Sequence, residues 1–571
     1  MMRDGMRQRR DTTSRDATGA PRKRAILRHA IPRPDGEHGA RSGGWAPVLR
    51  GGSWHPVTQR APAPARPVGA SGVRPASRRR AAPMLGLAML LAGCKVGPAY
   101  RAPTAVVPGN WSEHRATAEE LARTQARMRR WWGSFDDPML DRLVDRTIRG
   151  NYDLQIAGER LLAARALRDQ IASQLYPQVD VLGAGGIQRY STTLQYPPLP
   201  GISSDNRLWE YGTTVSWQLD LFGRLRRSVE AQDAAVQAGV EQRRGLLLST
   251  LAEVASDYCS LRVTQQQLGI AKKNIAAADD ALKLTQKVYT QGLGTTLQVA
   301  QAQAQLETEQ ATVQPLQTRI AQLSHALAIL AGELPASFEA ELAQPASPPT
   351  VPALPVALPS AVIANRPDIR ERERQFAQAT ARVGVAVAQL YPSFTLPLSF
   401  TPMASMVHEL FTASSLAWSA LLQASIPVYH GGGLAAQVRE ARANAEAARL
   451  SYQNTVLHAF GEVEDRLVAF NNDAVRADTL HKAARDDALA LDRARRLYAA
   501  GLSGFLDVLT AERSAYAGEN AAALGELARM QDAIALFVAL GAGWQGVDLH
   551  DNPLPVDEQQ QHAEAAAHRT P

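Results

Sequence analysis

The chain reads Tyr289-Thr-Gln-Gly292-Leu293-Gly-Thr-Thr-Leu297-Gln298-Val299-Ala-Gln-Ala302 near its middle. It reads Tyr498-Ala-Ala-Gly501-Leu502-Ser503-Gly-Phe-Leu506-Asp507-Val508-Leu-Thr510-Ala511 about 209 residues later. A second match, Gln174-Leu-Tyr-Pro177 against Gln389-Leu-Tyr-Pro392, has nearly the same offset. Two matches in the same order imply a duplicated unit of roughly 200 residues. Each unit reads as long helix, two short alternating strands, very long helix, tight turn and long helix.

Upstream of each turn the apolar pattern has a seven-residue period. Val254, Leu261, Leu268, Ile275, Leu282 and Tyr289 recur in the first half, with Leu251, Tyr258 and Ala278 as part of a second stripe. Gln265 and Lys272 interrupt that stripe. Val456, Val463, Phe470, Ala477, Ala484, Leu491 and Tyr498 recur in the second half. Sustained heptads predict helices packed along a coiled-coil seam. The proline-free stretches 224–290 and 432–500 predict helices of about 100 Å at 1.5 Å per residue. That is far longer than a globular core requires. Gly292 and Gly501 permit the left-handed conformation that stops a helix, and returning helices are expected near 296–332 and 505–541.

Four short segments have a two-residue period. Val215, Trp217, Leu219 and Leu221 alternate with Thr214, Ser216, Gln218 and Asp220. Phe394, Leu396, Leu398 and Phe400 alternate with Thr395, Pro397 and Ser399, and Trp418 to Ile426 alternates with Ser419, Gln423 and Ser425. The stretch from Val179 to Gln188 is weaker and Gly-rich. Alternation over about ten residues fits a transmembrane β-strand, and equally a half-buried sheet of a soluble domain. In a membrane, four strands cannot close a barrel and open edges cannot face lipid, so several chains would have to share one. Two chains would give eight strands, nearly filled by side chains; three would give twelve and a pore. Pro397 and Pro427 predict bulges or strand ends. The hairpin loops are placed at 191–207 and 402–415.

The formal charge of +7 belongs to the leader. Residues 1–93 carry 18 Lys+Arg and 5 Asp+Glu, leaving 44 basic and 50 acidic of the totals 62 and 55, a net of −6. The basic balance is therefore no argument for nucleic acid as a partner. Arg78-Arg79-Arg80 precede the apolar run Met84 to Gly93 and then Cys94. That is a charged segment, a short apolar segment and small residues before a cleavage point, too short to span a bilayer. Leu91-Ala92-Gly93-Cys94 resembles a bacterial lipobox, which implies cleavage before Cys94 and acyl chains on it. Each buried CH₂ adds about 0.8 kcal/mol, so several chains anchor stably. Lys95 in place of Asp implies sorting to the outer membrane. Residues 1 to about 72 are Arg-, Pro- and Gly-rich with no periodicity, which suggests initiation at Val73. The other cysteine, Cys259, sits alone on a helix and reads as a small packing residue. No disulfide is available to the mature chain.

Several further motifs carry a resemblance. They are Cys94-Lys-Val-Gly97-Pro98-Ala-Tyr100-Arg-Ala-Pro103, Trp131-Trp132, Leu219-Asp-Leu-Phe-Gly223, Asn365-Arg-Pro-Asp368-Ile369 and the two Gly-Leu turns. With them the chain, over about residues 91–545, resembles the outer-membrane efflux protein family, in its lipoprotein branch. Members are the channels of tripartite resistance-nodulation-division pumps. The resemblance implies an α+β membrane protein with two internal repeats per chain. It would be a homotrimer with a twelve-strand transmembrane β-barrel continued by a long periplasmic twelve-helix α-barrel. The expected division is a leader and signal peptide (1–93), a lipidated segment (94–135), a first repeat (136–333), a Pro-rich equatorial linker (334–358), a second repeat (359–545) and a tail (546–571).

The resemblance also implies site residues. Tyr498, Ser503, Asp507 and Thr510 match the tip where members coil shut around an acidic ring. Ser503 and Thr510 depart from the basic and second acidic residue of well-known members, and the first-repeat counterpart of Asp507 is Gln298. One ring of three carboxylates is therefore expected, held by fewer charge contacts. An Asp just inside a helix start also suits the helix dipole, so the plainer reading stays open. Gly292, Leu293, Gly501 and Leu502 would dock a periplasmic adaptor, or serve only as helix stops. The remaining partners implied are an inner-membrane proton-driven pump and outer-membrane lipid.

No catalytic, nucleotide-binding or metal motif is present: no HExxH, CxxC, G-x-S-x-G, P-loop or dinucleotide fingerprint. The chain reads as neither an enzyme nor a cofactor protein. Met403, Met406 and His408 share one loop without making a specific soft-metal site. Two alternatives to a passive duct for drugs or toxic small molecules remain. One is an outer-membrane duct for type I protein secretion, the other a non-conducting periplasmic coiled-coil lipoprotein.

Overall fold

The computed structural model describes residues 95–104, 107–112, 117–189 and 205–547. Cys94 and the leader, most of the first predicted loop and the tail after 547 lie outside the described residues. In chain order come α1 (Ala118–Arg127), a 3-10 stretch (Met128–Phe135), α2 (Pro138–Gly150), α3 (Tyr152–Ser173), β1 (Gln178–Arg189), β2 (Asp205–Leu219), α4 (Arg224–Thr290), α5 (Thr296–Ala311) and α6 (Val313–Leu330). After a linker follow α7 (Pro359–Asn365), α8 (Pro367–Ala388), β3 (Ser393–Ala404), β4 (Leu416–Ala420), β5 (Gln423–Ser425), α9 (Gly433–Ala499) and α10 (Phe505–Ala539).

The helix boundaries follow from local chemistry. Before α4, Asp220 accepts hydrogen bonds from the N–H groups of Leu225 (3.1 Å) and Arg226 (2.9 Å), and Gly223 adopts φ 82°. The Leu219-Asp-Leu-Phe-Gly223 motif is thus a helix-starting device. At the far end Leu293 N–H donates to Val288 O (3.1 Å) and Leu502 N–H to Leu497 O (2.9 Å), closing the Schellman turns that Gly292 and Gly501 allow at φ 76° and 75°. α4 and α9 are each 67 residues long, and both ends of α9 lie 209 residues after those of α4.

The seam is buried where the heptads place it along α9 as far as Leu491, and only in part along α4, where Leu268 and Ile275 are half-buried and Tyr289 is exposed. Val456, Val463, Phe470, Ala477, Ala484 and Leu491 are all buried along α9. In α4, Val254, Leu261 and Leu282 are buried, but so is Gln265, read from sequence as a break. Its side-chain N–H donates to Leu342 O (2.6 Å) and its carbonyl accepts from Arg262 (2.8 Å), so a buried polar residue is satisfied by the linker. The expected single return helix at 296–332 is instead two helices broken at Thr312. Pro315 explains the break, because its ring excludes the carbonyl of Ala311 and it has no N–H to donate.

The principal core gathers around the middle of α4 and the linker. Trp131, Phe135, Leu140, Tyr258, Phe338 and Phe537 are fully buried, and Trp131 stacks on Phe537 with centroids 5.4 Å apart. Trp111 Nε1–H donates to Ala357 O (2.6 Å), and Val356 N–H donates to Thr124 Oγ1 (3.0 Å). The Trp131-Trp132 motif therefore builds the girdle that the linker wraps. Cys259 is buried in it, and burial pushes its thiol up to about 12, so it packs and does not react.

The strands form one antiparallel sheet in the order β1-β2-β3-β4, with β5 continuing the β4 edge against β3. β2 and β3 run further than expected, so the loops are shorter than 191–207 and 402–415. The segment expected as one strand from Trp418 to Ile426 divides into β4 and β5 without a change of register. The gap falls opposite Pro397, which has no N–H to donate, while its carbonyl accepts from Leu421 N–H (3.1 Å). The β2–β3 ladder has a matching gap at Pro402. Neither proline makes a bulge, and Pro427 lies beyond the end of β5, as expected.

Candidate functional site

The register sorts the sheet into two faces. Gln178, Asp180, Thr214, Ser216, Thr395, Ser399 and Ser419 share one, on which the hydroxyls of Ser399 and Ser419 lie 2.9 Å apart. Val179, Val181, Val215, Trp217, Leu398 and Trp418 share the other. Within one chain that apolar face lies bare: Val181 is 80% exposed, Ile187 76% and Trp418 66%. A half-buried sheet of a soluble domain would cover such a face with its own core. The outer edges of β1 and of β4 with β5 carry no partner strand among the described residues. Gly185 lies opposite Trp209, and its missing Cβ makes room for the indole. That gives a reason for the Gly-rich stretch that weakened the β1 pattern. β2, with 15 residues, extends about 50 Å at roughly 3.3 Å per residue, enough to cross a hydrocarbon layer of about 30 Å at a steep tilt. Among the described residues no helix is long and apolar enough to cross a membrane.

The far ends of the helices present a second feature. Leu293 is 79% exposed and Leu502 75% exposed beside Gly292 and Gly501, and a Cβ added at either glycine would meet nothing within 4 Å. Leu297 and Leu506 are exposed one turn further on. Each tip thus offers a pair of bare leucines on a rigid turn.

The predicted gate residues are engaged locally. Asp507 accepts from Gly504 N–H (3.1 Å), and its counterpart Gln298 accepts from Thr295 N–H (2.9 Å), so both cap their helix starts. Thr510 Oγ1 donates to Leu506 O (2.8 Å) and Ser503 Oγ to Gly504 O (3.4 Å). Tyr498 packs on Phe505 with centroids 5.6 Å apart. The tyrosine hydroxyl is buried without a partner among the described residues. Within one chain no hydrogen bond or ion pair joins Ser503, Asp507 and Thr510 to one another. Phe505 itself is buried against Ala278 and Leu282 of α4 and Ala302 and Leu306 of α5. It fastens the second helix pair onto the first.

A polar junction just inside the tip was not read from the sequence. Glu512, 1% exposed on α10, accepts from Arg495 of α9 (2.9 Å). Tyr516 donates weakly to Asn274 O of α4 (3.4 Å), and Arg513 donates to Gln305 of α5 (3.0 Å). The signal was present: Glu512 and Tyr516 lie seven residues after Phe505 and Leu509, on the seam. A charge at a seam position usually marks register or switching. Burial pushes the Glu512 carboxyl above its ordinary value despite Arg495, so the folded chain holds that proton more tightly than the unfolded one. The stability this contributes is complete below the ordinary glutamate range and is lost as pH rises through the raised value. Replacing Glu512 by Gln removes the charge, and Arg495, at 40% exposure, tolerates losing its partner. Thermal unfolding between about pH 4 and pH 8 should then show a wild-type midpoint that falls with rising pH relative to that of the Gln variant.

No group of three or more His, Cys, Asp or Glu side chains placed to hold a metal ion occurs among the described residues. The model of the family described as outer membrane efflux protein matches residues 143–333 and again 358–542.

The chain belongs to the outer membrane efflux protein family.

The two matched stretches run from α2 to α6 and from the residue before α7 through α10, and leave the linker between them. Nodulation protein T of Rhizobium leguminosarum bv. trifolii is 30% identical over 463 residues, 80% of this chain and 96% of that protein. Cation efflux system protein CusC of Escherichia coli O6:H1 is 29% identical over 461 residues, covering 80% of this chain and 98% of that one. The structure of the outer-membrane channel OprN superposes with a TM-score of 0.72 at 32% identity, covering 79% of this chain and 100% of that chain.

Proposed function

We propose that three copies of this chain assemble into the passive outer-membrane channel of a tripartite efflux pump, exporting drugs or other toxic small molecules. Each copy contributes four strand positions, β4 and β5 counting as one, so the shared barrel has twelve strands and a water-filled interior. The observation that carries the reading is a sheet with one bare apolar face, one polar face and two open edges, continuous with helices about 100 Å long. Lipid satisfies the bare face and neighbouring copies satisfy the edges. A non-conducting coiled-coil lipoprotein gives no reason for such a sheet. Energy comes from an inner-membrane proton-driven pump, and a periplasmic adaptor docks on Gly292, Leu293, Gly501 and Leu502. Lipid on Cys94 holds the assembly to the outer membrane.

Purified protein in planar bilayers should conduct ions as a trimer; a monomer without conductance would sink the proposal. Pump and adaptor genes beside this one would assign small-molecule export, and an ABC exporter gene would assign protein secretion instead. At the tip, three symmetric copies of Asp507 would bring three carboxylates together while each still caps its own helix. Asp507→Ala should lower cation selectivity measurably and loosen the start of α10 by about 0.3–1 kcal/mol. Unchanged selectivity in reversal-potential measurements would leave Asp507 as a cap alone.

A further inference from the structure

The segment after Cys94 does not dangle. Lys95 pairs with Glu230, and Val96 N–H donates to Phe222 O (3.2 Å) in the turn that joins β2 to α4. Arg227, 3% exposed, donates to Val96 O (3.2 Å) and to Gly97 O (3.2 Å), and pairs with Glu230 (3.0 Å). Gly97, at φ 88°, presses on α8, where an added Cβ would lie 2.6 Å from Gly384 Cα. A Cβ on Gly384 would in turn meet the Arg227 side chain at 2.7 Å. Tyr100 then donates to Glu373 of α8 (2.6 Å) and sets its ring edge-on to Phe376. Residues 95–100 thus cross from α4 to α8 immediately below the sheet.

This is a built receptor for a peptide. A buried guanidinium with two backbone carbonyls as acceptors is satisfied only when the strap is in place; without it Arg227 keeps one partly exposed carboxylate. The two glycines remove the atoms that would hold strap, α4 and α8 apart. The strap is gripped through its main chain at the residues directly following Cys94.

We propose that Arg227, with Glu230 and Gly384, is a positioning clamp for the lipid-bearing N-terminus. It fixes the point where the acyl chains enter the leaflet at the strand–helix junction, and so couples anchoring to assembly of the trimer. The proposal rests on the reading that Cys94 carries lipid. It also explains Lys95 in the folded channel, where Glu230 holds its ammonium and lowers the distance the anchor can wander.

The test uses the full chain expressed in a Gram-negative host. Arg227→Met keeps the bulk and removes the donors, and Glu230→Gln is a gentler second variant should the first not fold. Each is made in the wild-type and the Cys94→Ser background. The trimer fraction in outer membranes is read on semi-native gels, and acylation of the N-terminal peptide by mass spectrometry. The clamp variant should lower the trimer fraction several-fold when Cys94 is present, remain acylated, and add nothing in the Cys94→Ser background, because both changes act through one strap. Trypsin should also cut after Lys95 at least tenfold faster in the variant than in wild type. Equal losses in both backgrounds, or no loss in either, overturn the proposal. An unmodified Cys94 in the wild-type protein overturns the anchoring reading and this inference with it, and is recognised from mass alone.

Discussion

Replacing Val215 by Arg should abolish the assembled trimer, whereas replacing its neighbour Ser216 by Arg should leave it assembled with altered conductance. Val215 lies in the second half of β2, four residues before its end at Leu219, between Val179 and Leu398 on the apolar face. An arginine facing lipid near the bilayer midplane costs about 2–4 kcal/mol, and three copies in one barrel bring that to roughly 6–12 kcal/mol. That is comparable with the whole stability of an ordinary domain. Ser216 is one residue away but faces Gln178 and Pro397 on the polar side. In the proposed channel an arginine there meets water, and its effect is confined to the charge lining the pore. Semi-native gels of outer-membrane fractions, with conductance of whatever trimer remains, separate the two outcomes. Equal behaviour of the two variants would mean that the sheet does not divide lipid from water.

The second large effect is expected at Phe505. This ring is buried among Ala278, Leu282, Ala302 and Leu306, so it belongs to one helix pair and packs into the other. Phe505→Ala removes about 3–5 kcal/mol of packing. If that contact holds the second pair inward, the closed-to-open ratio at the tip falls by roughly two to four orders of magnitude. Single-channel recordings should show long openings where wild type is mostly shut. The first-repeat counterpart is Thr296, which contributes nothing to that cluster. Thr296→Ala is therefore the matched control and should gate normally. Because the lost contact lies far from the sheet, trimer yield should stay within about twofold of wild type.

These two sites also show where sequence reading works. The faces of β2 and β3 follow from a two-residue period, and nothing distant is needed to assign them. The same holds for the far ends of α4 and α9, set by Gly292 and Gly501, both at positive φ. Pro315 is the instructive exception. One return helix is expected through 296–332, but a missing N–H and a ring clash break it at Thr312. At the tip, Gln298 and Asp507 were legible as equivalent positions, and the structure shows them capping equivalent helices.

The sequence by itself determined the period-two and period-seven elements, the lengths of the two long helices, their glycine stops and the duplication at a spacing of 209 residues, because each depends on forces acting within a few turns of chain. Only the tertiary structure decided that Gln265 and Glu512 lie inside the packing, that Phe505 reaches the other helix pair and that residues 95–100 are strapped across α4 and α8. Those depend on partners far away in sequence. Tyr516 and Asn274 are 242 residues apart and Tyr100 and Glu373 are 273 apart. A polar side chain on a seam is costly or useful according to whether such a partner arrives, and no local pattern records its arrival.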